Sequence, residues 1–316
     1  MPSRSIRATG RPRGIWSAER FKESQRIGRT MQFWLTQTLN SLALGGLLLL
    51  LSSGFALIFG LMRIANLTHG ALFMMGAYVA ANVARAGWGF TAAVVAAALA
   101  TAVIGGLIER LVLRRLTGNS QAQVLATLGL SFIAADLCLV LWGGDPIPVA
   151  PPAFLAGPAS VFGFSFPSYR LAVIVIAVVA AVLLFLLLER TRLGARIRAG
   201  VDDMPMARAV GIRASALFTS VFCLGAALAG LGGAVGGPML SAYPGLDADM
   251  LPLALIVVIL GGVGSLVGTF IASFIIGFIY TFGTALVPDL AYVILFLPMI
   301  VVLAFRPAGL LGSARA

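Results

Sequence analysis

Few side chains in this sequence can do chemistry, and those few lie within or beside long apolar stretches. His69 is the only histidine, Asn66 precedes it by three residues, and Asp136 is an acid inside an apolar run. A carboxylate at membrane depth is costly, so Asp136 either lines a transport pathway or bonds a neighbouring helix. His69 is a ligand, a proton carrier or a neutral hydrogen-bonding residue that fixes a turn.

The sequence gives no sign of metal, disulfide or P-loop chemistry. One histidine cannot form a multi-histidine metal site, and Cys138 and Cys223 each stand alone in an apolar run. Lys22 is the only lysine, and no glycine-rich loop precedes it. We therefore expect no catalytic residue, no metal and no cofactor in this chain. If ATP powers it, another subunit hydrolyses the ATP.

The composition is that of a polytopic membrane protein. Of 316 residues, 60% are hydrophobic and 10% are charged, whereas soluble domains carry about 25% charged residues. The net charge is +11, and the arginines stand at the ends of apolar runs. That placement fits the positive-inside rule better than nucleic-acid binding.

Nine apolar segments are predicted, several near the ~20 residues that cross a bilayer. They span residues 36–60, 66–84, 90–113, 122–142, 170–188, 214–236, 250–262, 266–287 and 290–305. The predicted fold is therefore an all-α polytopic membrane bundle. It would have about eight or nine transmembrane segments, with broken or re-entrant helices and a cytoplasmic coupling helix.

Loop charges predict the orientation of the segments. The 189–213 loop and the chain after residue 305 carry arginines, so both are expected in the cytoplasm. Loops 143–169 and 237–250 carry only Asp145, Asp247 and Asp249 and no basic residue, so they are expected outside. Counting crossings places residue 36 outside, yet residues 1–34 hold eight basic and two acidic residues. Either one segment is re-entrant, or translation starts naturally at Met31.

Three domains follow from these patterns. Residues 1–30 are a basic extension, disordered or a start-site artefact; residues 31–312 are the transmembrane domain; residues 313–316 are a cytoplasmic tail.

Two polar or glycine-rich breaks interrupt the apolar runs, GLMRIANLTHG at 60–70 and LGGVGSLVG at 260–268. Broken helices in transporters place free N–H groups beside a ligand. The alternative is that both breaks are tight cytoplasmic turns between packed helices. The candidate pathway residues are Asn66, His69, Gly70, Asp136, Gly261, Gly262, Gly264 and Ser265.

A charged, amphipathic segment, RLGARIRAGVDDMPMARAVGIR, runs from Arg192 to Arg213 between two apolar runs. We expect a short cytoplasmic helix over 194–212 that docks onto a soluble motor subunit, with Met204, Ala207 and Ile212 on its amphipathic face. The candidate coupling residues are Arg198, Asp202, Asp203, Met204, Ala207, Gly211 and Ile212.

Four motifs in order resemble those of branched-chain amino acid ABC transporter permeases, the Liv-type inner-membrane subunits. The 192–213 segment is similar to the cytoplasmic loop of that family. The other motifs are ANLTHG at 65–70 with MGAY at 75–78, LGGVGSLVG at 260–268, and RPAGLLG at 306–312. The resemblance covers residues 31–312, and the length suggests the H-type (LivH-like) rather than the M-type subunit. Thr68 departs from the family, in which alanine is commoner.

The resemblance implies an importer in the bacterial inner membrane with a cytoplasmic C-terminus. Its partners would be a second, M-type permease, two cytoplasmic ATPases, a periplasmic substrate-binding protein and membrane lipid. Two alternatives remain: an ion-coupled secondary transporter of small amino or carboxylic acids, and a membrane-embedded enzyme. The apolar segments hold fewer polar groups than either a secondary transporter or an enzyme is expected to need. The cargo could be a branched-chain or other amino acid, an amide, urea or an aromatic acid.

Overall fold

A computed structural model describes residues 13–63, 66–161 and 164–312. Within these ranges nearly all regular structure is α-helical. The helices are α1 Arg13–Met62, α2 Thr68–Arg85, α3 Gly89–Leu111, α4 Ser120–Trp142, α5 Ser168–Arg190, α6 Arg192–Asp202, α7 Met204–Ala209, α8 Ala214–Leu240, α9 Leu246–Gly261, α10 Leu266–Leu286 and α11 Ala291–Phe305. Two short antiparallel strands, β1 Pro158–Val161 and β2 Phe164–Pro167, form a hairpin before α5.

Each of the nine predicted apolar segments contains one helix. In the described part of the chain, six helical stretches are long and apolar enough to cross a membrane. They are Met31–Met62, Gly89–Leu116, Ser120–Trp142, Ser168–Arg190, Ala214–Leu240 and Leu266–Leu286. Helices α2, α9 and α11 do not meet that criterion. This is an all-α polytopic membrane fold.

Helix α1 is the centre of the bundle. It packs against α5, α8, α9 and α10. In its most apolar stretch of 18 residues 83% is buried, whereas the corresponding share for α4 is 17%. Residues 47–51 are almost completely inaccessible to solvent. Helix α4 instead carries exposed Leu125, Phe132 and Val140. Such side chains are ordinary where a helix faces lipid or another membrane subunit.

Small residues bring α8 close to its neighbours. A Cβ added to Gly233 would lie 1.9 Å from the carbonyl oxygen of Phe73 on α2, and one added to Gly105 on α3 would lie 2.5 Å from Ala226 Cβ. Close backbone approach through small residues is the usual way that helices associate in lipid, where no hydrophobic force drives them together. Glycines on either side of these contacts, Gly233 on α8 and Gly105 on α3, therefore let α2 and α3 pack closely against α8.

The stretch 237–250, expected to be an outer loop, is mostly helical. Helix α8 continues to Leu240, and α9 already begins at Leu246. Ile147 and Ala242 exchange two backbone hydrogen bonds of 2.8 and 2.9 Å, which join this connection to the stretch after α4. The hairpin was not predicted, because its two strands have four residues each and lie in a glycine- and proline-rich stretch.

Candidate functional site

The first break turns the chain back into the bundle. Helix α1 ends at Met62, followed by Arg63 with a positive φ of 54°, a conformation that ends helices. His69, in the first turn of α2, lies with Nε2 2.9 Å from the carbonyl oxygen of Leu51. Leu51 precedes the end of α1 by 11 residues, about 16 Å along the axis. Helix α2 therefore begins inside the bundle, and the break is not a tight surface turn.

Asn66 organises the start of α2. Its Oδ1 accepts bonds from the backbone N–H of Thr68 at 3.2 Å and from the Thr68 hydroxyl at 2.5 Å. Leu67 N–H donates to Thr127 Oγ1 on α4 at 3.2 Å. Among the described residues, the buried Nδ2 of Asn66 has no partner. These bonds satisfy backbone N–H groups at the start of α2, which would find no water inside a membrane.

His69 is fully buried and packs on helix α1. Its ring stands edge-on to Phe55 at 5.4 Å, and a Cβ added to Gly54 would lie 3.1 Å from the imidazole. Since the partner of Nε2 is a carbonyl oxygen, which can only accept, this nitrogen carries a proton and donates the bond. Within the described ranges Nδ1 has no hydrogen-bond partner. The geometry favours a residue that fixes the start of α2.

The starts of α2 and α9 meet inside the bundle. A Cβ on Gly70 would lie 2.8 Å from the carbonyl oxygen of Asp247 and 2.9 Å from Leu251 Cβ. Helix N-termini carry partial positive charge, and the Asp247 carboxylate in the first turn of α9 offsets it. Asp247 is only 8% exposed, and Ser131 on α4 donates a 3.2 Å hydrogen bond to it. Sequence reasoning assigned Asp247 to an outer loop, because the apolar run appeared to begin at Met250.

The second break is a tight turn between α9 and α10. Gly262 and Gly264 have φ of 100° and 77°, which other residues adopt only with strain. Ser265 Oγ accepts a 3.1 Å bond from the N–H of Gly268 and caps α10. Gly261 and Gly268 are in backbone contact, which leaves no room for a side chain at either position. The two breaks thus differ: the first enters the bundle and the second does not.

The two breaks nevertheless touch. A Cβ on Gly60, the last glycine of α1, would lie 2.8 Å from the Cα of Gly264. The C-terminal motif at 306–312 is bonded to the end of α9 beside this contact. The N–H of Leu310 donates to the Leu260 carbonyl at 2.8 Å, and the N–H of Leu311 donates to the Gly261 carbonyl at 3.1 Å.

The charged segment forms two helices rather than the single helix expected over 194–212. Helix α6 ends at Asp202, and Asp203 stands outside both helices, where its Oδ1 accepts a 2.9 Å bond from the N–H of Met206. An aspartate with this geometry is an N-cap, which starts a new helix and ends the old one. Arg198 on α6 forms a 3.4 Å ion pair with Glu189 and donates to the carbonyl of Leu188.

The apolar residues of this segment face the permease itself. Ala207 is buried, and Met204 and Ile212 pack with α8 and the end of α1. Met204, Ala207 and Ile212 thus share one apolar side of the segment, which lies against the permease here, and their part in docking stays a prediction. The exposed apolar residues are Met206 and Val210, at 62% and 70%.

Helix α6 and the two breaks share one cavity of about 260 Å³. Its lining includes Arg198 and Asp202 of α6, Gly60 of the first break, and Gly264 and Ser265 of the second. Helix α6 therefore lies beside both breaks, with open space between them. The other candidate coupling residues do not line this cavity; they are Asp203, Met204, Ala207, Gly211 and Ile212.

Asp136 lies apart from this group. It is exposed on α4, and within the described ranges no hydrogen bond or ion pair involves it. A different acid is buried at the end of α3: Glu109, 1% exposed, pairs with Arg114 at 3.0 Å, and the Thr219 hydroxyl lies 2.6 Å from its Oε2. The IERLVLRR sequence offered a sign of this pairing, since Glu109 precedes Arg114 by five residues.

The long apolar helices and the inward start of α2 define the class of multi-pass helical membrane proteins. The model of the family described as branched-chain amino acid transport system / permease component matches residues 37–303. The chain belongs to that family, and within it is a LivH-like ABC permease of the inner membrane.

Curated relatives match along nearly their whole length. The high-affinity branched-chain amino acid transport system permease protein BraD of Pseudomonas aeruginosa is 28% identical, over 88% of this chain and 96% of the relative. The corresponding LivH of Escherichia coli K12 is 26% identical, over 89% of this chain and 96% of the relative. A solved structure of PsaBC from Streptococcus pneumoniae in complex with Fab covers 83% of this chain at 14% identity with a TM-score of 0.44. No conclusion about this chain rests on that likeness.

Proposed function

We propose that this chain is one of two permease subunits of an ATP-driven importer of branched-chain or related amino acids. A periplasmic binding protein delivers the cargo, an M-type subunit completes the pathway, and two cytoplasmic ATPases supply the energy. The high-affinity branched-chain transport named for BraD and LivH supports this cargo class. The C-terminus and the α6–α7 segment are cytoplasmic, as their arginines favour.

The cavity shared by α6 and the two breaks is the observation that carries the coupling role. Arg198 and Asp202 of α6 line it together with Gly264 and Ser265 of the second break. An ATPase that holds α7 through the exposed Met206 and Val210 would move α6 with it, because only Asp203 separates the two helices. The movement would change the contact between the breaks and so open or close the route.

The candidate pathway residues belong to this proposal with distinct roles. Asn66, His69 and Gly70 hold the inward start of α2, and residues 261–265 form the turn that moves against Gly60. Asp136 would reach the route only from the exposed face of α4, that is, at an interface with the second permease. A lining that is mostly apolar with a few hydrogen-bonding groups lets a small zwitterion pass without trapping it.

Reconstitution separates this function from ion-coupled transport. The full chain is placed in liposomes alone, and in parallel with the ATPase, second permease and binding protein of its system. We expect no amino-acid uptake by the chain alone under a proton or sodium gradient, and ATP-dependent uptake by the complete set. Gradient-driven uptake by the chain alone would establish a secondary transporter instead.

A further inference from the structure

A second, larger cavity lies beside the α6–α8 region, and it shares only Val210 with the ATPase contact proposed above. Its volume is about 530 Å³. Two arginines, Arg196 on α6 and Arg213 just before α8, line it. The other lining residues are Leu193, Val210, Gly211, Ile212, Ala216, Leu217 and Ser220. No acidic residue is among them.

The two arginines of this cavity are uncompensated. Among the described residues neither Arg196 nor Arg213 takes part in a salt bridge or a side-chain hydrogen bond. Arg114 and Arg198, by contrast, pair with Glu109 and Glu189. Two neighbouring guanidinium groups without a counter-charge attract an anion, and their planar donors suit phosphate oxygens.

The wall of the cavity also includes the first turns of α8, a candidate membrane-spanning helix. Ser220 and Ala216 form its wall on α8, and both are exposed. Ser220 lies six residues beyond the start of α8 at Ala214, about 9 Å along the helix. A lipid can place its headgroup on the arginines and its glycerol and acyl chains along α8, which is long and apolar enough to cross a membrane.

We propose that Arg196, Arg213 and the α8 wall form a binding site for the phosphodiester headgroup of an anionic phospholipid in the cytoplasmic leaflet. Zwitterionic lipids fit less well, because their ammonium group would lie against two cations. Basic pockets between helices at the cytoplasmic boundary commonly hold anionic headgroups. The site goes beyond the proposed transport function and does not depend on the coupling role of α7.

Native mass spectrometry of the detergent-purified full chain tests this site, with phosphatidylglycerol and phosphatidylcholine as probes. We expect at least one phosphatidylglycerol to bind with clear preference. The double variant Arg196→Gln/Arg213→Gln should weaken that binding about 25-fold, since an arginine near the membrane surface contributes about fivefold. The matched control Arg110→Gln/Arg115→Gln removes two exposed boundary arginines outside the cavity and should leave binding unchanged.

A second variant, Ser220→Phe, reduces the volume of the cavity and leaves its two arginines in place. Ser220→Phe fills the cavity from the membrane side, so it should also weaken phosphatidylglycerol binding while the chain keeps its elution volume. Inorganic phosphate should not displace the lipid, because it lacks the acyl chains. If the arginine double variant and its control lose phosphatidylglycerol binding equally, the lipid binds a diffuse positive surface and the proposed site is wrong. Displacement of bound lipid by the purified ATPase would instead assign the cavity to that partner.

Discussion

At the scale of single residues, buried polar groups hold the inward starts of two helices. His69 on α2 bonds the Leu51 carbonyl, and Asp247 on α9 lies next to Gly70 and accepts a bond from Ser131. His69 was recognisable as the only histidine beside a helix break, and a turn-fixing role was among its alternatives. Its partner, the carbonyl of Leu51, was not predictable, because that contact depends on the chain folding back along α1. Asp247 was misplaced, since three-dimensional packing and not local polarity buries it next to Gly70 and Ser131.

The bond between His69 and Leu51 leads to a first prediction. His69→Leu removes the donor and should cost about 1 kcal/mol, which lowers the melting temperature of the purified chain by about 2–4 °C. His69→Gln keeps an N–H donor and should lose less. A thermal melt of both variants in one detergent measures the difference. If leucine and glutamine behave alike, the hydrogen bond does not hold α2 in place.

The contact between Gly60 and Gly264 leads to a second prediction. Gly60→Ala puts a methyl group 2.8 Å from backbone, so the two breaks must separate at a cost of about 1–3 kcal/mol. We expect reduced uptake of branched-chain amino acids with near-normal membrane insertion. Gly129→Ala on α4 is the matched control, because no atom lies within 4 Å of its added Cβ. Wild-type uptake by Gly60→Ala would show that this contact is not used in transport.

At the scale of elements, hydropathy predicted which stretches are helical but not how they begin and end. All nine apolar segments contain helices, whereas the inward start of α2 and the early start of α9 depend on contacts made across the bundle. The division between α6 and α7 had a sequence signal in Asp203, which is followed by Met204 and Pro205. Proline in the first turn after a capping aspartate is a typical helix start.

The cap at Asp203 leads to a third prediction. Asp203→Lys removes the 2.9 Å bond to Met206 N–H and puts a positive charge at a helix N-terminus, together about 1–2 kcal/mol against α7. In the complete transporter, ATP hydrolysis should continue while uptake falls. Asp203→Asn keeps a capping oxygen and should retain most uptake. Normal uptake by the lysine variant would remove α7 from the coupling proposal.

At the scale of the whole molecule, motifs far apart in sequence converge at one place. Gly60 meets Gly264, the C-terminal motif bonds Leu260 and Gly261, and α6 closes the cavity beside them. Only the order of these motifs was visible in the sequence. Their meeting point follows from the antiparallel packing of α9 and α10 and the central position of α1. The tail 313–316 and residues 1–12 lie outside the described residues, and the proposed start at Met31 stays a prediction.

The central claim is that ATP-driven movement of α6 and α7 changes the two breaks. Cysteine labelling tests it most directly, with Asn66→Cys or Ser265→Cys in a complete transporter whose Cys138 and Cys223 are replaced by alanine. Asn66 is buried and Ser265 half-buried in this structure. We predict that ATP changes the rate at which a water-soluble thiol reagent modifies both positions, and that Asp203→Lys abolishes the change. Labelling that is absent or identical in every nucleotide state would contradict the account.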